Sequence, residues 1–153
     1  MAVAARFVVV ALAAAALVGA AALPAGAAAC KTVRATIHAS LTGPTFTEGT
    51  IESGILKGTT AFSGAFTAAV EPTTLGYTGT LTITTDQGTL TISDVGVLDL
   101  ANNAFAEIDR VTGGTGRFAG ATGTLFVSGP FDPVAGSFEG AITGEVCLAD
   151  ESN

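Results

Sequence analysis

The stretch Val111–Gly123, with the sequence VTGGTGRFAGATG, decides the fold prediction. Five of its thirteen residues are glycine. It lies between two strand-like runs, Ala104–Val111 and Ala121–Ser128. Glycine adopts positive φ angles and accommodates β-bulges at little cost, so a glycine-rich segment between two strands is typical of a hairpin connection. We therefore predict that this stretch is the turn of a β-hairpin.

The same stretch also fits a dinucleotide-binding fingerprint, with Gly114, Gly116 and Ala119 at its small-residue positions. That motif requires a helix directly after it, because the helix N-terminus binds the pyrophosphate. The segment that follows, ATGTLFVS, alternates small or polar residues with Leu125 and Val127. This is the period of a strand. The pattern favours the hairpin over a nucleotide site.

Strand-like runs continue from Lys31 to Leu148, and no long segment of this part of the chain has helical periodicity. Turn-forming residues such as Thr42-Gly43-Pro44 and Asp86-Gln87-Gly88 separate them. Short connections favour antiparallel pairing of neighbours. We predict an all-β fold, an eight-stranded antiparallel up-and-down barrel. Its strands are Lys31–Leu41, Thr45–Ser53, Gly58–Val70, Tyr77–Thr85, Thr89–Leu98, Ala104–Val111, Ala121–Ser128 and Ser137–Leu148.

The first 29 residues have the pattern of a signal peptide. Arg6 precedes a long run rich in alanine and valine, and Pro24 and small residues follow. A positive start, an apolar middle and a small-residue cleavage site direct export. We predict that residues 1–29 are removed and that residues 30–153 form one barrel domain without a membrane span. The mature protein is then expected to be secreted or periplasmic.

Two cysteines, Cys30 and Cys147, lie near the ends of the mature domain. In an exported protein this number indicates one disulfide. Side chains of a strand alternate between two faces, and each cysteine falls on the polar face of its strand. Pairing of the first and last strands would therefore place both sulfurs on the outside of the barrel. That coincidence favours a closed barrel over an open sandwich. Two alternatives stay open: two free thiols, or a lipoprotein anchored at Cys30, since Ala27–Ala29 before it resembles a lipobox.

The composition excludes several classes of function. The formal net charge is −7 and only six residues are Lys or Arg. Such a chain has no basic surface for nucleic acid or anionic membranes. His38 is the single histidine, so it has no cysteine or histidine companions for a zinc site. The sequence also lacks the G-x-S-x-G elbow that holds the nucleophile of many serine hydrolases. We expect no metal and no cofactor.

Four acidic residues are candidates for chemistry because their strands do not separate into clean polar and apolar faces. Glu48 and Glu52 share a parity with Phe46, and Glu107 and Asp109 share one with Phe105 and Val111. The simpler interpretation turns the acids outward, since unpaired carboxylates are rarely buried. If any points inward, burial raises its pKa and it can exchange a proton with a substrate.

A second candidate set would line a ligand pocket. It consists of Tyr77, Phe62, Phe66, Phe105 and Arg110. Tyr77 lies on the apolar parity of its strand and would offer a hydroxyl in the lumen. Arg110 lies on the opposite face of its strand from Glu107 and Asp109. It could pair with an inward acid only if a bulge or the rim of the barrel brought the two faces together. Eight-stranded barrels either fill their interior or hold one small ligand, and the many small residues here leave room.

The hairpin Ala104–Ser128, with its glycine-rich turn, resembles the signature hairpin of the allene oxide cyclase and dirigent barrels, which also include exported bacterial members. The resemblance implies an eight-stranded barrel with an apolar interior pocket. Members of this superfamily steer reactive intermediates, such as an allene oxide or phenoxy radicals, toward one stereochemical outcome, and some bacterial relatives cyclise polyketide tails. It also implies that this chain can assemble into a homo-oligomer.

Three functions follow as alternatives. The first is binding of a small apolar ligand in the lumen. The second is a cofactor-free cyclase or stereochemical guide that uses a buried carboxylate. The third is a structural or interaction module of the cell envelope with a filled barrel.

Overall fold

The structure, a computed structural model, describes residues 29–67 and 71–149. Eight strands form one closed antiparallel barrel in which neighbours along the chain pair in order and the last pairs with the first. This confirms the predicted fold class. The strands are β1 Ala29–Gly43, β2 Phe46–Ile51, β3 Gly58–Phe66, β4 Thr74–Thr85, β5 Gly88–Asp99, β6 Ala104–Gly114, β7 Thr122–Asp132 and β8 Ser137–Leu148.

The inner face of each strand is set by the alternation of side chains. In β5, Leu90, Ile92 and Leu98 are buried, whereas Val95 and Val97 on the other parity are exposed. Successive side chains of a strand point to opposite faces, so one inward residue fixes the direction of all the others. The same rule fills the lumen with aliphatic and aromatic side chains from all eight strands.

A disulfide closes the seam between β1 and β8. The two strands pair from Ala29 opposite Leu148 to Ser40 opposite Ser137. Cys30 lies directly opposite Cys147, and the two sulfurs are bonded. The predicted disulfide and its place at the seam are thus confirmed, and the alternative of two free thiols is wrong.

The glycine-rich stretch extends β6 and then turns back sharply. In the β5–β6 pairing, Thr112 is an extra residue between the pairs Thr91–Gly113 and Ile92–Val111, which is a β-bulge. Gly116 has a φ of 57° and starts a single 3-10 turn that ends at Phe118. The strand β7 follows, so the predicted turn and bulge are confirmed and no nucleotide-binding helix is present there.

The two ends of the barrel differ. At one end, Leu56 from a 3-10 turn between β2 and β3 and Phe118 from the turn after β6 are completely buried. The other end carries the turns after β1, β5 and β7, and Pro44, Leu100 and Pro133 from these turns border a cavity. The barrel is therefore plugged at one end and accessible at the other.

An apolar row crosses the outer wall. Val95, Ile108 and Phe126 are directly opposite one another on β5, β6 and β7, and each is more than half exposed. Phe126 therefore lies outside the core. Leu125 and Val127 occupy the inward parity of β7, so the residue between them must face outward.

Within the described residues, no helix combines the length and the apolar character needed to cross a membrane. The predicted signal peptide, residues 1–29, lies outside the described part of the chain except for Ala29, where β1 begins.

Candidate functional site: an apolar cavity with an acidic base

A cavity of about 270 Å³ occupies the accessible half of the lumen. Its wall is mostly apolar, and aromatic side chains from five strands contribute to it. These are Phe62, Phe66, Tyr77, Phe105, Phe131 and Phe138. Phe138 stacks on Phe131 and meets Phe105 edge-on, so three of the rings support one another. The volume is that of a small organic molecule.

The polar part of the cavity wall begins at Tyr77. Tyr77 on β4, Gly96 on β5 and Glu107 on β6 form one cross-strand row. A side chain at Gly96 would overlap the ring of Tyr77. Because that side chain is missing, the phenol crosses β5 and donates a 2.6 Å hydrogen bond to Oε1 of Glu107. Both Tyr77 and Glu107 line the cavity.

Two more acids lie in the next inward row. Asp94 on β5 is the direct cross-strand partner of Asp109 on β6. Only 2% of Asp94 and 1% of Asp109 is exposed. Asp94 lines the cavity, whereas Asp109 lies behind it, between Asp94 and Leu125 of β7. Two carboxyl groups thus face each other inside the barrel.

These acids lack ordinary partners. Oδ1 of Asp94 and both carboxyl oxygens of Asp109 are buried without a hydrogen bond. Asp94, Glu107 and Asp109 each place one carboxyl oxygen within 4.8 Å of the others. Three oxygens that close together can contact a single cation, so this cluster is the one place among the described residues where a metal ion could be held by three acidic or histidine side chains.

Burial governs the protonation of the cluster. Desolvation, then the charges of Glu107 and Asp109, raises the pKa of Asp94 to about 9. Desolvation, then the charge of Glu107, raises the pKa of Asp109 to about 8. Burial also raises the pKa of Glu107, although the hydrogen bond from Tyr77 opposes the shift. Burial and the nearby carboxylates raise the pKa of the Tyr77 phenol as well.

The structure places four of the five predicted pocket residues in the cavity wall, namely Tyr77, Phe62, Phe66 and Phe105. Phe66 is half exposed and lies at the rim. Arg110 does not line the cavity, contrary to the prediction, because it is exposed on the outer wall and borders a shallow groove there. Asp109 and Val111 on either side of it face inward, and the bulge follows them, so nothing brings Arg110 to the lumen.

The four candidate acids divide by strand. Glu107 and Asp109 point inward. Glu48 and Glu52 are exposed on the outer wall, where Glu52 lies 3.8 Å from His38, so their inclusion as lumen acids is corrected. Ile51 is buried between them in sequence, and it sets the parity of β2.

Asp94 is the acid that the sequence analysis missed. It shares the parity of Leu90, Ile92 and Leu98, which is a signal of an inward position. Val95 and Val97 obscured this signal because they form an equally apolar set on the outer parity. Only the pairing with β6 shows that Asp94 joins Asp109.

In chemical terms the site offers an apolar chamber with carboxyl groups at its base. A carboxyl group that keeps its proton near neutral pH can donate a hydrogen bond or a proton, and once ionised it can hold a cation. No protein-family model matches this chain, and no curated protein sequence matches it significantly.

Proposed function

We propose that this protein binds a small, largely apolar ligand in the lumen of its barrel. The observation that carries the proposal is the cavity of about 270 Å³, which is bordered by turns at one end of a barrel whose other end is plugged by Leu56 and Phe118. Ligand pockets are concave and mostly apolar, with a few polar groups that fix orientation. Here Tyr77, Asp94 and Glu107 supply those groups. A filled structural barrel would need no such space.

The disulfide supports a role outside the cytoplasm, because such bonds persist in oxidising compartments. The predicted signal peptide agrees with this. We therefore propose that the ligand is met in a secreted or periplasmic setting.

The binding test uses a neutral fluorescent probe, N-phenyl-1-naphthylamine, whose emission rises in apolar surroundings. We expect saturable binding of one probe per chain. Ala39 lines the cavity, so Ala39→Phe would fill part of it and should weaken probe binding at least tenfold. Ala141→Phe is the matched control, since Ala141 is exposed on the outer wall. Equal probe binding by both variants would contradict lumen binding.

A second function is favoured by the protonation of the acids at the cavity base. A protonated Asp94 can act as a general acid on a bound apolar substrate without any cofactor. This is the chemistry of the cyclase and stereochemical guide that the hairpin resemblance implies. The apolar wall would hold the substrate in one folded conformation while the proton moves.

An epoxy alcohol such as 4,5-epoxyoctan-1-ol tests this function. The carboxyl group would protonate the epoxide oxygen, the hydroxyl oxygen would form a bond to C4 as the epoxide C4–O bond breaks, and the hydroxyl proton would return to the carboxylate. From racemic substrate at partial conversion, we expect one enantiomer of a cyclic ether in excess, with a rate that falls at least tenfold in Asp94→Asn and is kept in the exposed control Glu48→Gln. A racemic product formed at the uncatalysed rate would rule out this second function.

A further inference from the structure

Among the described residues, the acidic cluster of Asp94, Glu107 and Asp109 has no basic partner. All five Lys and Arg residues of the described segments are exposed, and they are Lys31, Arg34, Lys57, Arg110 and Arg117. The one hydrogen bond that reaches the cluster from another side chain comes from Tyr77. Buried acids are normally paired or hydrogen-bonded, because an isolated buried charge is costly. The described side chains therefore provide no positive charge to balance the cluster.

Asp109 carries this argument independently of the clustering. It is 99% buried, and neither of its carboxyl oxygens has a hydrogen-bond partner. An unsatisfied buried acceptor destabilises the folded chain, so Asp109 at this position points to a group that it binds. One of its oxygens lies within 4.8 Å of oxygens from both other acids.

The spacing of these oxygens suits one cationic nitrogen. For three points no more than 4.8 Å apart, the centre lies within 4.8 Å divided by the square root of three, about 2.8 Å, of each. Charge-assisted N–H···O bonds have lengths of about 2.7–2.9 Å. A primary ammonium has three N–H donors. It can therefore satisfy one oxygen from each acid.

The cavity connects two of the three acids to the outside, and Asp109 lies directly across from Asp94 on the neighbouring strand. Asp94 and Glu107 form part of its wall, and apolar side chains such as Leu81, Leu98 and Phe105 form most of the rest. A ligand with a cationic head and an apolar body would match both regions at once.

We propose that the ligand of the lumen is an amphiphilic primary amine, whose ammonium group is held by Asp94, Glu107 and Asp109 while its hydrocarbon body fills the apolar cavity. This inference rests on the proposed lumen binding and names its ligand class.

A bare metal ion is the competing occupant of the same oxygens. Calcium takes six to eight oxygen ligands, and magnesium keeps near-octahedral geometry. The cluster offers three carboxyl groups, with the Tyr77 hydroxyl beside Glu107. The space above it is lined mainly by apolar groups. That surrounding suits a hydrocarbon better than the water shell that a metal ion would need here.

Amine binding should depend on pH. The titratable groups that face the cluster are Tyr77 on β4, Asp94 on β5, and Glu107 and Asp109 on β6, while β7 contributes Leu125 and Val127 and β3 contributes Phe62. Burial raises the pKa of Asp94 to about 9 and that of Asp109 to about 8, so these two acids hold protons at neutral pH in the ligand-free protein. An ammonium favours ionised carboxylates, so its binding releases protons and strengthens as pH rises.

The experiment compares three ligands that differ only in their head group: octylamine, octan-1-ol and octanoate. Each displaces N-phenyl-1-naphthylamine from the wild-type chain at pH 6 and pH 8. An alkyl ammonium keeps its proton at both values, as lysine does. We expect octylamine to displace the probe at a concentration at least tenfold lower than octan-1-ol at pH 8, with at least a threefold smaller preference at pH 6. Octanoate should be the weakest competitor.

Two variants locate the effect. Asp94→Asn keeps the shape of the side chain and should abolish the preference for octylamine over octan-1-ol. Asp86→Asn is the matched control, because Asp86 is exposed in the turn between β4 and β5. If Asp94→Asn does not fold, the wild-type comparison of head groups still decides the matter.

The outcomes separate this inference from the function on which it rests. Equal displacement by octylamine and octan-1-ol would overturn the amine and leave lumen binding intact. Displacement of bound octylamine by micromolar Ca²⁺ or Mn²⁺ would overturn it in favour of a metal site. If the probe does not bind, octylamine and octan-1-ol are titrated directly by calorimetry. Binding of the amine alone supports the inference, and binding of neither overturns both proposals.

Discussion

Tyr77 and Glu107 are joined by a 2.6 Å hydrogen bond that passes over β5, from β4 to β6. The bond links the aromatic wall of the cavity to the acidic residues at its floor. It is the one polar contact between side chains from different strands inside the described barrel, so it fixes the direction in which Glu107 points.

Tyr77→Phe removes this bond while it keeps the ring. We expect the free energy of unfolding to fall by about 1–2 kcal/mol, because Glu107 loses its partner in a buried position. The pKa of Glu107 should rise further, since the hydrogen bond from Tyr77 is what opposes the effect of burial. Urea denaturation and carbon-detected NMR titration measure the two effects.

Thr80→Val is the control for that variant, since it removes an exposed hydroxyl from the same strand. Its free energy of unfolding should stay within about 0.5 kcal/mol of the wild type. A Tyr77→Phe protein with an unchanged Glu107 pKa would show that the bond does not form in solution.

The pH dependence of stability should be reversed relative to that of most proteins. Asp94 and Asp109 have folded pKa values of about 9 and about 8, well above the usual value of 3.8. From about pH 4 to pH 9 the folded chain therefore holds more protons than the unfolded chain. Stability should be greatest near pH 4 and decline as pH rises through this window, because deprotonation of the buried acids favours the unfolded chain. Thermal unfolding of the ligand-free protein measures this.

Asp109→Asn should flatten that decline and raise the stability above pH 7, because an amide has no proton to lose. Asp86→Asn should keep the wild-type slope. Asp99 and Asp132 act in the opposite direction, since hydrogen bonds lower the pKa of each, but their contribution is lost only as pH falls below about 4. Stability that rises steadily from pH 5 to pH 8 would refute the protonated cluster.

Gly96→Ala tests the close approach of the tyrosine. A methyl group at this position would overlap the ring of Tyr77, so the ring must move away from Glu107. We expect a loss of about 1–3 kcal/mol in the free energy of unfolding. Tyr77 is the single tyrosine and the chain has no tryptophan, so its fluorescence reports the site directly. The emission should change with Gly96→Ala and stay constant with Ser93→Ala, which alters an exposed residue of the same strand.

The seam disulfide should contribute a large share of the stability. Cys30 and Cys147 are 117 residues apart in sequence. Loss of a bridge that closes a loop of this length costs up to about 4–5 kcal/mol in the chain-entropy model. The double variant Cys30→Ser/Cys147→Ser should unfold at lower urea concentration, and reductant should lower the wild-type midpoint to match it. A wild-type midpoint that reductant does not shift would contradict this expectation.

The fold could be predicted because its signals are local. Turn residues, strand alternation and the shared parity of Cys30 and Cys147 each depend on a few neighbouring positions. The site depends on which parity faces inward, and this is ambiguous wherever both faces of a strand are apolar. In β5, Val95 and Val97 are as apolar as Leu90 and Ile92, so Asp94 was overlooked. In β6, exposed Ile108 gave the same ambiguity, and the direction of Asp109 required the pairing across three strands.

The covalent seam has a consequence for how the chain could be rearranged. The disulfide between Cys30 and Cys147 joins the first strand to the last, which lie side by side. The backbone and the disulfide together therefore form a closed covalent ring that runs through all eight strands. If a short peptide replaced the disulfide as the link, new termini could be opened in an exposed turn such as Asp86-Gln87, and the barrel should retain its architecture as a circular permutant.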